Sequence, residues 1–259
     1  MENMCRAERL SFVRQRLRVL DQGCPQVCHS KQTPGLLSGV FKQEAIHELY
    51  AANPADAVAV NAFALAVGML SANGQNVVWG LDATMTSEHG TPYVGGIEEM
   101  GIDSSKILLV KAPNIKNLLI VGEESLKSPP VGSVIISAWG NSKALSLNSS
   151  RRLALAAKLG GATLFCVRAG AVPSPSAAET RWSVKATASA SLAGGAPGHP
   201  SFSLTLLRRR GGGELKNWIL EWDRDARSFR EPAPLSGAMV PVAAQRSAEA
   251  WDDSGRRVA

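Results

Sequence analysis

The feature that most constrains the fold is a series of five short, largely apolar runs that alternate with segments of helical periodicity. The apolar runs lie at 45–50, 77–81, 107–110, 134–139 and 162–167. The helical segments lie at 55–70, 93–100, 115–126 and 149–159. Strands that alternate with helices are joined by right-handed crossovers and are covered on both faces. The pattern therefore predicts an α/β fold with a mainly parallel sheet flanked by helices.

After the fifth run the pattern changes to short strand-like segments. These lie at 181–186, 202–207 and 218–222, with a triple glycine at 211–213 between the last two. We expect C-terminal antiparallel strands with a hairpin turn at the glycines. Beyond Arg230 the chain is rich in Pro, Ala, Ser and Arg. We therefore expect one domain over 34–230 and a disordered tail over 231–259.

The N-terminal segment has the pattern of a basic amphipathic helix. Its apolar residues recur at helical spacing, at Leu10, Val13, Leu17 and Leu20. Arginines surround this stripe, and Arg14 and Arg18 are our candidate contacts for a protein partner or DNA. We expect 1–33 to form this helix and a polar linker. An apolar stripe needs to be covered, which favours a partner surface over a decorative surface helix.

Composition narrows the class of protein. With 259 residues and 45% hydrophobic content, the chain can bury a full-sized core. We expect no membrane span and no signal sequence, because the apolar runs are short and the N-terminus is polar and basic; this indicates a cytoplasmic protein. The net charge of +6 favours acidic partners such as nucleic acid only weakly.

Four cysteines in a chain of this length do not indicate a disulfide framework. Cys24, Cys28 and His29 are spaced like metal ligands, but a structural zinc site needs four ligands and no second Cys or His pair follows. We expect free thiols and no metal here, with zinc as the alternative.

The turn after the first strand is where an α/β sheet of this kind binds its ligand. A phosphate loop at this place needs glycines, a lysine that reaches the outer phosphates, and a hydroxyl residue that holds Mg²⁺. Here Ala51 replaces the first glycine, Asp56 the second, Ala57 the lysine and Val58 the hydroxyl. We therefore expect no nucleotide and no other cofactor.

Two other features resemble functional motifs, but the sequence favours a structural role for both. His47 and Glu48 begin like a metalloprotease motif, but the second histidine is replaced by Ala51, so His47 is expected to be a structural strand residue. The tryptophans Trp139, Trp182, Trp218 and Trp222 are expected to pack in the core or on the sheet rather than to stack on bases.

Several short segments stand in a characteristic order along the chain. They are His-Glu-Leu at 47–49, Gly-Ile-Asp-Ser-Ser-Lys-Ile-Leu-Leu-Val at 101–110, Ser-Ser-Arg-Arg-Leu-Ala-Leu-Ala-Ala at 149–157, Thr-Arg-Trp at 180–182 and Trp-Ile-Leu-Glu-Trp-Asp at 218–223. Their order resembles a RecA-type core. The stretch from about 34 to 230 more closely resembles ImuA, the bacterial inducible mutagenesis protein A family, itself a degenerate RecA relative.

The resemblance implies that catalysis has been lost. RecA-type enzymes carry a glutamate after the second strand and an aspartate after the fourth, and the matching positions here are Thr84 and Ser137. They also hold single-stranded DNA with the loops after the fourth and fifth strands. Loop 140–147 has one lysine, and loop 169–179 has no basic residue. We therefore expect a non-enzymatic protein whose loops are poor DNA ligands.

The resemblance further implies an adaptor in damage-induced (SOS) mutagenic translesion DNA synthesis. Its expected partners are an ImuB-like relative of Y-family polymerases, an error-prone replicative-type DNA polymerase and RecA. One alternative is a SulA-like cell-division inhibitor that binds FtsZ, although such chains are shorter; another is an ATPase with an unusual loop. Arg208, Arg209 and Arg210 are candidate partner or DNA contacts, with a solvated hairpin tip as the alternative.

Helix 149–159 presents an apolar face that we expect to comprise Leu153, Leu155, Ala156 and Leu159, with Arg151 and Arg152 facing solvent.

Overall fold

A computed structural model describes residues 37, 39–191, 196–212 and 214–232, together with residues 11 and 15. Apart from residues 11 and 15, the N-terminal helix and linker predicted for 1–33 lie outside the described residues. This includes Arg14, Arg18, Cys24, Cys28 and His29. Of the predicted tail, only residues 231 and 232 are described.

The described chain folds into nine strands and five α-helices. The strands are β1 (Ile46–Ala51), β2 (Asn76–Asp82), β3 (Ile107–Ala112), β4 (Val131–Trp139), β5 (Thr163–Ala169), β6 (Thr180–Ala186), β7 (Ser201–Arg209), β8 (Asn217–Asp223) and β9 (Ser228–Arg230). The helices are α1 (Ala57–Ser71), α2 (Ala83–His89), α3 (Val94–Glu99), α4 (Ile115–Leu126) and α5 (Leu147–Gly160).

All nine strands belong to one sheet in the order β3-β2-β4-β5-β1-β6-β7-β8-β9. The pairs from β3 through β6 are parallel, and β7, β8 and β9 add antiparallel strands at the other end. The predicted fold class is therefore confirmed: α/β, mainly parallel, with C-terminal antiparallel strands. The arrangement is consistent with a RecA-like core.

The sequence pattern found every strand from β1 to β8 but missed two short elements. Helix α2 has no apolar periodicity; it begins because the Asp82 side chain caps it by accepting a hydrogen bond from the backbone N–H of Met85 at 2.7 Å. Strand β9 has only three residues, and its pairing with β8 places Phe229 beside Trp222 in the core. Neither element could be read from periodicity alone.

One face of the sheet packs against α1, and this core is rich in aromatic rings. Phe63 of α1 contacts Phe41, Phe202 and Phe229 at ring centroid distances of 5.2 to 6.3 Å. Trp182 and Trp222 are fully buried in the same cluster, as expected for packing residues. Trp139 and Trp218 are half-buried against it.

Helices α4 and α5 cover the other face and pack against each other. In α5 the residues that face the sheet are Leu153, Ala156 and Ala157. The apolar face predicted for this helix was wrong at two positions, because Leu155 and Leu159 are 59% and 74% exposed. A residue two positions from Leu153 is rotated by about 200° on a helix and cannot share its face. Arg151 and Arg152 are exposed, as expected.

One helical stretch, Pro54–Ser71, is long and apolar enough to cross a membrane by length and composition alone. Most of it is buried inside the fold, where α1 packs on the sheet. The core helix of a soluble protein has these same properties, and the fold is consistent with a soluble protein.

Candidate functional site

The junction between β1 and α1 is the place where a RecA-like core would bind phosphate. Five residues, 52–56, join the two elements, and Pro54–Asp56 form a 3₁₀ turn that continues directly into α1. The second half of the connection is thus already coiled into a 3₁₀ turn and is not an extended loop.

The backbone N–H groups of this junction are bonded within the protein. Ala52 donates to the carbonyl oxygen of Val184 at 2.9 Å, and Asp56 donates to that of Asn53 at 2.9 Å. Asn53 donates to the Asp56 carboxylate at 3.1 Å, and Ala57 donates to the Pro54 carbonyl oxygen. Proline has no N–H group. A phosphate loop holds its ligand with free N–H groups, and the N–H groups of residues 52, 53, 56 and 57 are not free.

Asp56 holds the junction closed. Its Oδ2 accepts from both the backbone and the side-chain amide of Asn53, and its Oδ1 accepts from the backbone N–H of Ala186 at 3.0 Å, at the end of β6. Sequence reasoning placed this carboxylate opposite a phosphate. The structure instead buries it to 8% exposure, where it fastens the junction to the sheet.

The other replaced positions fit this closed arrangement. Ala57 is fully buried, and a lysine there would have its stem in the core. Ala51 is half-buried at the end of β1. Val58 projects from the first turn of α1 and is 64% exposed, so the place of the magnesium-binding hydroxyl carries an exposed apolar side chain.

The second strand ends in a carboxylate, Asp82, two residues before the position that sequence reasoning matched to the catalytic glutamate. Strand β2 ends at Asp82, whereas Thr84 lies exposed in α2. The Asp82 side chain is almost completely buried, and this burial raises its pKa. Its carboxylate caps α2 and also accepts from the backbone N–H of Trp139. It is therefore held in a structural role.

Ser137 is the fourth-strand position, and it lies in a chain of buried hydrogen bonds. Trp79 donates its indole N–H to Ser137 Oγ at 3.0 Å, and Ser137 donates to Asn61 Oδ1 at 2.6 Å. Asn61 in turn donates to the backbone oxygen of Ala57 at 2.8 Å. The three side chains connect β2, β4 and α1, and Ser137 is bonded on both sides within this network.

The two loops that would hold DNA in a RecA relative are fastened to the body of the protein. In loop 140–147, Asn141 accepts from the N–H of Val172 in the second loop at 3.1 Å. In loop 169–179, Ala177 donates to Ser150 of α5 at 2.9 Å. Arg181 donates to the Ser174 carbonyl oxygen and to Ser176 Oγ.

The predicted contact residues at the C-terminal hairpin have different environments. Arg208 is half-buried and donates to the backbone oxygen of Ala178 at 2.6 Å, which also fastens loop 169–179. Arg209 and Arg210 are exposed and available to a partner. Arg14 and Arg18 lie outside the described part of the chain.

His47 is a structural residue of β1, as expected. Its Nε2–H donates to the carbonyl oxygen of Lys42 at 2.8 Å, and its Nδ1 accepts from the hydroxyl of Thr180 at 2.7 Å. Thr180 accepts a further bond from the indole N–H of Trp182. Burial lowers the pKa of His47 to about 4, so the ring is neutral at physiological pH.

Sequence reasoning missed Asn61, Asp82 and a buried arginine, Arg168. Asp82 and Arg168 each follow an apolar run directly, and a charged residue at that position signals the edge where ligands bind. Asn61 has no such signal, because its role depends on the position of β4. Within the described ranges, no three His, Cys, Asp or Glu side chains are grouped as metal ligands would be.

No protein-family model matches the sequence, and no curated protein matches it either.

Proposed function

We propose that this chain is a non-catalytic adaptor related to ImuA that works in damage-induced mutagenic translesion DNA synthesis in the bacterial cytoplasm. The observation that carries the proposal is the closed β1–α1 junction: the N–H groups of residues 52, 53, 56 and 57 are bonded to Val184, the Asp56 carboxylate, Asn53 and Pro54. A RecA-like core without a nucleotide switch offers fixed surfaces, which suit an adaptor.

The fastened loops support an adaptor that does not carry DNA in the manner of RecA. Binding of single strands needs a basic groove with aromatic side chains that stack on bases. Loop 169–179 has no basic residue and is bonded to Ser150, Arg181 and Arg208 instead. The exposed Arg209 and Arg210 remain as contacts for a partner protein or for DNA.

The expected partners are an ImuB-like protein and an error-prone replicative-type polymerase, with RecA as a further contact. The test is to tag the full chain in its native bacterium, induce DNA damage and identify the proteins that co-purify. The untagged strain and the undamaged tagged strain are the controls. Recovery of the first two partners only after damage supports the proposal, and recovery of FtsZ without them supports the SulA-like alternative. Recovery of neither set contradicts both.

A matched pair of variants tests the hairpin surface. Replacing Arg209 and Arg210 with glutamine should weaken recovery of the partners if the hairpin tip contacts them. The same change at Arg151 and Lys158, which are exposed on α5, is the control for a general loss of surface charge. Equal losses in both variants would argue against a specific role for the hairpin.

A further inference from the structure

Three arginines lie on nearby strands in the middle of the sheet, on β5, β6 and β7, with β1 between β5 and β6. Arg168 of β5 is paired in register with Tyr50 of β1, Arg181 of β6 with Glu48 of β1, and Arg208 of β7 with Arg181. We call Arg168, Arg181 and Arg208 the arginine row. Tyr50 lies between two of them: the guanidinium carbons of Arg168 and Arg181 are 5.6 and 5.7 Å from its ring centroid.

The row is buried. Arg168 is 3% exposed, Tyr50 2%, Glu48 4% and Arg181 9%. Burial of an ionised group is costly unless it is paired, so each guanidinium group should have an anionic partner or a full set of hydrogen bonds. Of the three arginines, only Arg181 has an anionic partner among the residues that the structure describes.

Arg181 is the arginine with a partner. Its Nε donates to Glu48 Oε2 at 2.8 Å, and its Nη2 donates to Ser174 and Ser176. Three guanidinium groups against one carboxylate leave a formal excess of two positive charges. Neither Arg168 nor Arg208 forms an ion pair within 4 Å with a carboxylate in the described part of the chain.

Three polar atoms of the cluster also have no hydrogen-bond partner. They are Arg168 Nε, Arg208 Nε and the hydroxyl of Tyr50. Burial raises the pKa of Tyr50, so this hydroxyl keeps its proton and is a donor. All three are donors, and native proteins leave few buried donors unpaired. Unpaired donors in a cluster with excess positive charge are the chemistry that binds a phosphate or another oxyanion.

We propose that the arginine row and Tyr50 form a binding site for a phosphate-type oxyanion, with Arg168 and the Tyr50 hydroxyl as its main ligands. The site lies at the carboxyl ends of β1 and β5, because Tyr50 and Arg168 are the last residues but one of their strands. It meets the surface at Ser174, Ser176 and Arg208, which are half-buried. The site is separate from the closed β1–α1 junction and does not depend on the adaptor role.

The phosphate can come from two sources, the free inorganic ion or the terminal phosphate of a DNA strand. The shared chemistry is a tetrahedral oxyanion that takes a guanidinium and a hydroxyl as donors. Chloride has the same sign of charge but none of this geometry. Chloride at matched ionic strength is therefore the reference against which specific binding is measured.

The test is a calorimetric titration of the full-length protein with inorganic phosphate. Saturable binding is expected, and Arg168→Gln should weaken it by about tenfold or more. Tyr50→Phe keeps the ring and removes only the hydroxyl, and it should weaken binding by about three- to tenfold. Arg209→Gln, an exposed arginine on the same hairpin, is the matched control and should bind within about twofold of the wild type.

A competing short oligonucleotide identifies the source. If a 5′-phosphorylated strand displaces phosphate and the same strand without the 5′-phosphate does not, the ligand is a DNA end. If neither displaces it, the ligand is the free ion. The proposal is overturned if phosphate gives no saturable signal beyond chloride, or if the wild type and Tyr50→Phe bind equally well. If Arg168→Gln does not fold, the comparison of the wild type with Tyr50→Phe still tests the proposed site.

Discussion

The β1–α1 junction and the arginine row both lie where β1 ends, yet they differ in whether their hydrogen-bond donors have partners. At the junction the N–H groups of residues 52, 53, 56 and 57 are bonded to Val184, the Asp56 carboxylate, Asn53 and Pro54. In the arginine row, buried donors of Arg168, Arg208 and Tyr50 have no partner. The position where a RecA-like core would bind phosphate is therefore closed, whereas the neighbouring arginine row is the site that we propose for an oxyanion.

The largest expected effect separates the two kinds of buried arginine. Arg181→Met leaves the Glu48 carboxylate buried and unpaired, and should lower the free energy of unfolding by about 3–5 kcal/mol. The identical change at Arg168 removes a buried charge that has no carboxylate partner, and should change stability by less than about 1 kcal/mol in phosphate-free buffer. Urea denaturation measures both. Equal losses for the two variants would contradict the distinction between a paired and an unpaired arginine.

A second effect concerns His47. Its pKa is about 4 in the folded state and 6.5 in the reference state, so unfolding takes up a proton between these values. Stability should be complete above pH 6.5 and fall by about 3 kcal/mol as the pH drops from 6.5 to 4. His47→Gln has no titrating group and should show a shallower pH dependence in the same range. Superimposable pH profiles would refute the assignment to His47.

The closed junction itself should be sensitive to Asp56. Asp56→Ala removes the acceptor for Asn53 and Ala186, and should cost about 1–3 kcal/mol. Glu88, an exposed acidic residue of α2, provides the matched control, since Glu88→Ala should change stability by less than about 0.5 kcal/mol. Thermal or urea unfolding distinguishes the two variants. A loss at Asp56 no larger than at Glu88 would mean that the carboxylate does not hold the junction.

A smaller effect is expected in the Trp79–Ser137–Asn61 network. Ser137→Ala leaves the buried indole N–H of Trp79 unpaired and should cost about 1–2 kcal/mol. Trp79→Phe combined with Ser137→Ala removes both groups, so the two changes should not be additive. Additive losses would show that the two side chains are energetically independent.

Much of this fold could be predicted from the sequence because buried strands are short apolar runs. The ends of elements were harder to predict, since they depend on single caps: Asp82 ends β2 and caps α2, so the strand ends two residues before Thr84, the position that sequence reasoning had matched to its end. The polar clusters could not be predicted. Arg168, Tyr50 and Arg181 meet only because β5, β1 and β6 are neighbours in a given register.

The role of Asp56 could not be predicted for the same reason. From the sequence it is an acidic residue in a phosphate loop, and its charge argues against nucleotide binding. In the structure Asp56 opposes nucleotide binding in a different way. Its carboxylate accepts hydrogen bonds from Asn53 and from Ala186 of β6, and so holds the junction closed. That bond could not be anticipated without knowing that β6 lies beside β1.

The most direct test of the central claim is a calorimetric titration of the full-length protein with Mg²⁺ and ATP. Because the junction offers no free N–H group at 52, 53, 56 or 57 and no lysine, we predict no saturable binding up to about 1 mM ATP and no shift in Tm. The titration is repeated with Arg168→Gln, which distinguishes any ATP phosphate bound by the arginine row from binding at the junction. Stoichiometric binding of ATP under these conditions would contradict the account.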